Sequence, residues 1–536
     1  MPRRCVAGAS SIAVLAVLSA SARAGPEPND AAASKAEPQA VSIQLDVGHT
    51  GVTSTQAPFR FPLAEYWRVE LGGLVSYPLI ADGRVFVTVA DVRSGGSTLV
   101  ALDVESGVTR WTQAIPGTNG WSGTAYDSGR IFVVNEGGLL EAFDEVTGWL
   151  QWSRQIPNGP VVTAPPVAQA GVVYVDGAGD PAVFAYDGAS GALRLSQGFA
   201  PIPGGLALGA GSLFAYTACG FVALDAATGE VVWTSGLACG GGSTPVYANG
   251  KVYVPIPLDS GNAIFSARTG AVLGTFEPYS GQPVVGAQHV YFQEGTWVHA
   301  LGLQSQDLLW TFSGDGRIAQ LPIKVNETLF VGSRSGELWG LDGDSGKPVW
   351  STNVGAPIAA NPCCNGPYSG LAESDGYLLV PAGSRLVAYH MSLATTQGSV
   401  SANLPQGATP PSTTPFNPQD PSTYTASTTT AVCDLRGDSY AQSFYFAARA
   451  QAGVWDVYAT INGVVVSDDP TATVLKFSEA GRLVAPKNGE LRFRYAPPDR
   501  AEPIDVKFNF SATTSVGGTF SVTSITENGC KGGAPR

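Results

Sequence analysis

Residues 221–233, FVALDAATGEVVW, read as strand, tight turn, strand, and this pattern recurs along the chain. An apolar run of strand length leads into Asp225, whose carboxylate can accept backbone N–H bonds at a turn entry. Gly229, four residues on, tolerates a left-handed backbone, and a second strand ends on Trp233. Close copies occupy 99–111, 140–152 and 338–350, ending on Trp111, Trp152 and Trp350. Weaker copies are 183–195, 263–274 and 298–310, the last ending on Trp310. An eighth half-copy at 386–390 lacks the turn and the Trp, whereas an unmatched Trp strand, 63–71 around Trp67, stands at the other end of the repeat region.

A second repeat runs in step. GRVFV at 83 returns in varied form at 129, 171, 211, 250, 288, 327 and 376, at spacings of 38 to 49 residues. That is the period of propeller blades. Each unit offers about four short strands between Gly, Pro and Ser turns and shows no helical period. Only 14% of residues are charged, against 44% hydrophobic, with 66 Gly and 38 Pro, which suits a turn-rich β protein. The spacing predicts an all-β chain: an eight-bladed β-propeller over 55–392, closed by the Trp67 strand pairing into the last blade.

The Ala-Leu-Asp…Thr-Gly…Trp repeats resemble the pyrroloquinoline-quinone-type β-propeller repeat over about 58–390. That repeat occurs in quinoprotein dehydrogenases and in the propeller scaffold of the outer-membrane barrel assembly machinery. The resemblance implies fold more than function, since enzymes and scaffolds share it. It also implies that Trp67, Trp111, Trp152, Trp233, Trp310 and Trp350 dock one blade on the next.

Residues 1–24 read as a secretory signal: Arg3 and Arg4, a short apolar core, and Ala22-Arg23-Ala24 before Gly25. The expected location is periplasmic or extracellular, with no membrane span after cleavage. Residues 25–54 read as a mostly flexible leader, with strands starting near Val41. Net charge is −13, which argues against nucleic acid as a partner. Loss of Cys5 with the signal leaves six cysteines, and an even number in an exported chain favours disulfides. Cys219 and Cys239 flank one blade hairpin; Cys363 and Cys364 are adjacent; Cys433 and Cys530 bracket the C-terminal region.

Residues 393–427, dense in Thr, Pro and Ser, read as a linker. Alternation returns in 428–536 with six candidate strands, enough for a small sandwich or barrel. From 401 to 533 the chain also resembles the outer β-domain of the flagellar hook protein. The residues that carry this are NLP at 403, PFNPQDPSTY at 415, WDVYATING at 455 and the close FSVTSITENGC. Where that family has two Tyr, this chain has Cys433 and Cys530, so the resemblance implies a disulfide between them. The hook protein's long terminal helices are absent here, which points to a secreted propeller carrying a borrowed hook-like domain.

Cys363-Cys364 is the sharpest enzymatic hint, since quinoprotein alcohol dehydrogenases place a vicinal disulfide over their quinone. Here the pair falls in the last blade, and no matching calcium-ligand set or catalytic Asp accompanies it. Asp342-Gly343-Asp344 mimics a calcium loop, but its repeat register makes it a blade turn. None of His49, His289, His299 and His390 is spaced for zinc. Arg436-Gly437-Asp438 spells an adhesion tripeptide at a turn position. The expected function is a non-enzymatic binding scaffold without cofactor, acting on a protein partner in the envelope or at a surface structure. The alternative is a dehydrogenase using pyrroloquinoline quinone with calcium.

Overall fold

A computed structural model describes residues 39–54, 61–90, 95–117, 120–157, 164–177, 180, 182–198, 204–217, 220–236, 244–255, 262–276, 282–358, 368–374, 376–391, 394–434, 439–466, 474–495, 504–527 and 529. Successive antiparallel sheets follow the repeat. The first blade pairs Leu79–Ala81, Arg84–Ala90, Ser97–Asp103 and Thr109–Ile115 in chain order. Six more blades of the same order begin at Ser122, Val167, Ala207, Val246, Val284 and Ile323. The first strand of each blade is largely buried and in most blades short, while the fourth alternates and is largely exposed, as in Leu79–Ala81 against Thr109–Ile115. The first strands are therefore innermost and face the channel.

The eighth blade takes Ala372–Ser374, Tyr377–Ala382 and Arg385–Met391 from one end of the ring and Leu63–Glu70 from the other. Trp67 stands opposite Ala388, with a register shift between Glu65 and Trp67. The covalently continuous blades carry a shift at the same place, for instance between Ala101 and Leu102 and between Ala223 and Leu224. The borrowed strand thus reproduces the local bulge of a native fourth strand.

The repeat motif explains the docking of blades. Trp67 Nε1 donates to Val104 O at 2.8 Å, Trp111 to Glu145 O at 3.0 Å, and Trp152 to Gly188 O at 2.9 Å. Trp233 donates to Ala267 O at 2.8 Å and Trp310 to Gly343 O at 3.0 Å. Each indole lies on the turn glycine of the next blade. A Cβ at Gly148 would sit 2.5 Å from the Trp111 ring, and Gly148 also has φ +71, so the position demands glycine twice over. Leu195 replaces Trp in the third blade and leaves 3.4 Å at Gly229. The eighth blade has no such turn, and Trp350 packs edge-on to Tyr389 with ring centres 5.5 Å apart.

The C-terminal region holds two sheets over one apolar core. Gln397–Asn403 lies between Ile504–Asn509 and Ser521–Glu527, with Glu490–Tyr495 beyond. The facing sheet runs Ala426–Cys433, Ser439–Ala448, Val454–Ile461, Val474–Phe477 and Leu483–Ala485, with Val464–Val465 attached. Phe444 of one sheet meets Phe508 of the other with ring centres 4.9 Å apart, both fully buried.

Two expectations need correction. Residues 397–403, read as linker, form a strand of this sandwich, and 404–425 pack against it. Leu404 is fully buried, Phe416 stacks on Tyr458 at 4.2 Å, and Asp420 caps Pro421–Thr423 by accepting from Ser422 N–H. Polar composition misled because the Asn, Asp, Ser and Thr side chains satisfy the backbone locally, and few apolar anchors then suffice. The leader at 25–54 is also not flexible throughout: residues 40–53 are ordered within the propeller.

Candidate functional site: the plugged central channel

The inner strands expose unpaired backbone edges to the channel, and residues 40–53 occupy them. Ala40 and Ile80 of the first blade exchange both backbone bonds, at 3.0 and 2.8 Å. Tyr126 N–H of the second blade donates to Val41 O at 2.9 Å. Leu208 N–H of the fourth donates to Val47 O and Tyr247 N–H of the fifth to Gly48 O, both at 2.8 Å. Val285 N–H of the sixth donates to Thr50 O at 3.0 Å, and Lys324 N–H of the seventh to Gly51 O at 2.7 Å. Val52–Thr53 then adds a parallel strand to the seventh blade. From the second blade to the sixth these contacts run one way: blade amides donate and the plug's carbonyls accept. Buried edge amides must be paired, and here the chain itself pairs them.

Local features fix the plug's path. Asp46 Oδ1 accepts from Gly48 N–H at 2.8 Å and Thr50 N–H at 3.1 Å, folding the segment on itself. His49 is buried, with Nδ1 2.8 Å from Ile43 O and Nε2 2.7 Å from Leu206 O, so its ring bridges the plug and the fourth blade. A Cβ at Gly48 would lie 2.7 Å from Tyr247 O, so only glycine passes there. Gln44, Leu45 and His49 hold φ of +54, +77 and +59, left-handed values that ordinary side chains disfavour. Sequence reading starts strands near Val41 but does not seat the segment in the channel. Its signal was the alternation of Val41, Ile43, Leu45 and Val47, outweighed by the polar stretch before it.

Other buried groups lie apart from the plug. Asp176, at the end of the third blade's second strand, is buried, and neither carboxylate oxygen has a hydrogen-bond partner among the described residues. Burial pushes its carboxyl up to about 7, offset only in part by the nearby amides of Asp176 and Gly204, which do not reach hydrogen-bonding geometry. Asp342 Oδ1 accepts from Ser345 N–H at 2.8 Å and Ser345 Oγ at 2.6 Å, which is the blade-turn arrangement. His289 lies 3.4 Å from Asp344 and His299 3.3 Å from Glu294, while His390 packs against Tyr377. Among the described residues no group of three or more His, Cys, Asp and Glu could hold a metal ion. Also among them, no helix is long and apolar enough to cross a membrane.

Cys219, Cys239, Cys363, Cys364, Cys530 and the 436–438 tripeptide lie outside the described residues. Cys433 is buried and disulfide-bonded, its partner lying outside them too. Around it three segments converge. Thr395 N–H donates to Cys433 O and Cys433 N–H to Thr395 Oγ1, both at 2.9 Å. Thr395 Oγ1 and Gly529 N–H both donate to Glu527 Oε2, at 3.1 and 2.6 Å.

Architecture and repeat register define a β-propeller of the pyrroloquinoline-quinone-repeat class followed by a β-sandwich. Residues 64–119, 95–194 and 185–273 match the family of the outer membrane protein assembly factor BamB, and 403–530 match the flagellar basal body protein FlaE D2 domain. The chain thus joins BamB-like repeats to a flagellar D2-type domain. In structure it is similar to quinohemoprotein alcohol dehydrogenase from Comamonas testosteroni, at 14% identity and TM-score 0.53, covering 66% of this chain and 80% of that one. It is also similar to BamB from Moraxella catarrhalis, at 19% identity and TM-score 0.49, covering 62% and 98%. At such identities the likeness shows the fold alone. In sequence, 148 residues are 30% identical to tetrathionate hydrolase of Acidithiobacillus ferrooxidans; the match spans 27% of this chain and 26% of that protein.

Proposed function

We propose that this chain is an exported, non-enzymatic scaffold that binds a protein partner in the cell envelope or at a flagellar or other surface assembly. The propeller supplies the broad binding body and the D2-type sandwich a second recognition module. The observation that carries this reading is the plug: backbone N–H groups of five blades that could face a small ligand donate instead to carbonyls of the chain's own residues 41–51. The match to an assembly factor supports the same reading. Residues 1–24 act as the export signal, and Cys433 pairs with Cys530, whose neighbour Gly529 lies against Thr395.

The quinone alternative needs carboxylates converging on a cation near Cys363 and open axial space. Against it stand the residues 40–53 lodged along the axis and the exposed blade-turn carboxylates committed to their turns. The test is affinity capture from envelope fractions after cross-linking, beside incubation with pyrroloquinoline quinone and calcium. Recovery of a defined envelope partner and no dye-linked alcohol oxidation are expected. Turnover with the loaded protein would defeat the scaffold reading.

A further inference from the structure

We propose that the central channel is a peptide-binding site held shut in cis by residues 40–53. Its ligand is a polypeptide segment carrying a Gly-x-x-Gly spacing and able to take the same turned path as residues 40–53. The inference rests on the scaffold reading and names the class of partner feature that the propeller would take.

Four observations carry it. The ring closes without the plug, because Leu63–Glu70 completes the eighth blade on its own. Recognition is main-chain and one-sided: Tyr126, Leu208, Tyr247, Val285 and Lys324 present N–H donors to carbonyl oxygens. Any extended peptide offers such acceptors, and strand addition to an exposed edge is a general mode of peptide capture. Two steric checks restrict what may enter. A Cβ at the position of Gly48 meets Tyr247 O at 2.7 Å, and Gly51, at φ +67, has Val284 Cγ2 3.0 Å from where its Cβ would be. Finally, the cis segment is a strained occupant, with Gln44, Leu45 and His49 all left-handed. A peptide with glycine or asparagine at those places would avoid that cost and compete.

The test uses the full chain and a fluorescent synthetic peptide with the sequence of residues 39–54. Gly48→Val in the chain should eject the plug. By anisotropy the variant is expected to bind the peptide at least tenfold more tightly than the wild type does. The same peptide carrying Gly48→Val should not bind. Failure of the variant chain to bind the wild-type peptide, or loss of its cooperative melting, would overturn the proposal, since the segment would then be core rather than ligand. Hydrogen exchange on the wild-type chain gives a second readout. The amides of Leu208, Tyr247, Val285 and Lys324 should exchange faster than those of Val85, Ile131 and Val173 in the second strands, and equal protection would likewise overturn it. Capture of an envelope partner with those channel amides still protected would leave the scaffold standing and remove the peptide site.

Discussion

Trp67 Nε1 donates to Val104 O at 2.8 Å, a bond that spans 37 residues and joins the last blade to the first. It repeats at the ring's seam the bond that Trp111, Trp152, Trp233 and Trp310 make between consecutive blades. The seam is therefore docked like those four junctions, although its strand comes from before the first blade. Trp67→Ala removes a buried indole and its bond and should cost about 3–5 kcal/mol. Thermal melting measures the loss, and hydrogen exchange over 63–70 should rise with it. An unchanged melting temperature would contradict this docking role.

His49 bridges Ile43 O and Leu206 O from a buried position. His49→Ala leaves both carbonyls without that partner and opens a cavity, a loss of about 2–4 kcal/mol at the plug. Protease cleavage within 40–53 should rise before global melting changes. Equal protection in variant and wild type would show that backbone contacts alone hold the segment.

Asp176 ties stability to pH. Burial raises its folded-state pKa from 3.8 to about 7, so between those values the folded chain holds a proton that the unfolded chain releases. Stability is then highest below the unfolded value, falls as pH rises toward 7, and levels off above it. Asp176→Asn should remove that fall and gain a few kcal/mol, on the order of the shift itself, at pH 8 but little at pH 4. Urea midpoints at the two pH values decide it; a variant with the wild-type pH slope would clear Asp176 of the effect.

Cys433 sits where Thr395, Glu527 and Gly529 meet, so the proposed disulfide to Cys530 would secure the base of the sandwich. Cys433→Ser should lower stability of that domain by about 2–4 kcal/mol. Reductant should bring the wild type to the same midpoint, and Cys530→Ser should match Cys433→Ser. Peptide mapping that pairs Cys433 with another cysteine would refute the pairing.

Phe416 stacks on Tyr458 at 4.2 Å and anchors the segment 404–425 to the sandwich. Phe416→Ala should cost about 1–3 kcal/mol and open that segment to protease. Cleavage no faster than in the wild type would mean that the cap at Asp420 and buried Leu404 hold it alone.

Local chemistry made much of the ring legible. The Asp, Gly and Trp of each hairpin act through turn geometry and a contact with the next copy, so both spacing and count could be read from the chain. The last pairing was legible too, because a Trp strand without a hairpin and a hairpin without a Trp strand each needed the other. The plug was less so. Residues 40–53 make backbone bonds to blade residues between 40 and 273 positions away in sequence, such as Ile80, Tyr126, Leu208 and Lys324. No local pattern reports such distant partners. The segment at 404–425 failed for the opposite reason: its polar residues bond to one another, and composition gives the same signal for a loop that is pinned as for one that is free.

Repetition alone determined that this chain builds sheet after sheet and that the sheets must close, because a repeated amphipathic hairpin buries its faces only against its neighbours. What fills the axis was decided only in three dimensions. Closing the ring creates a circle of inward-facing amides, and that circle selects for its partner a stretch of backbone whose own side chains barely announce it.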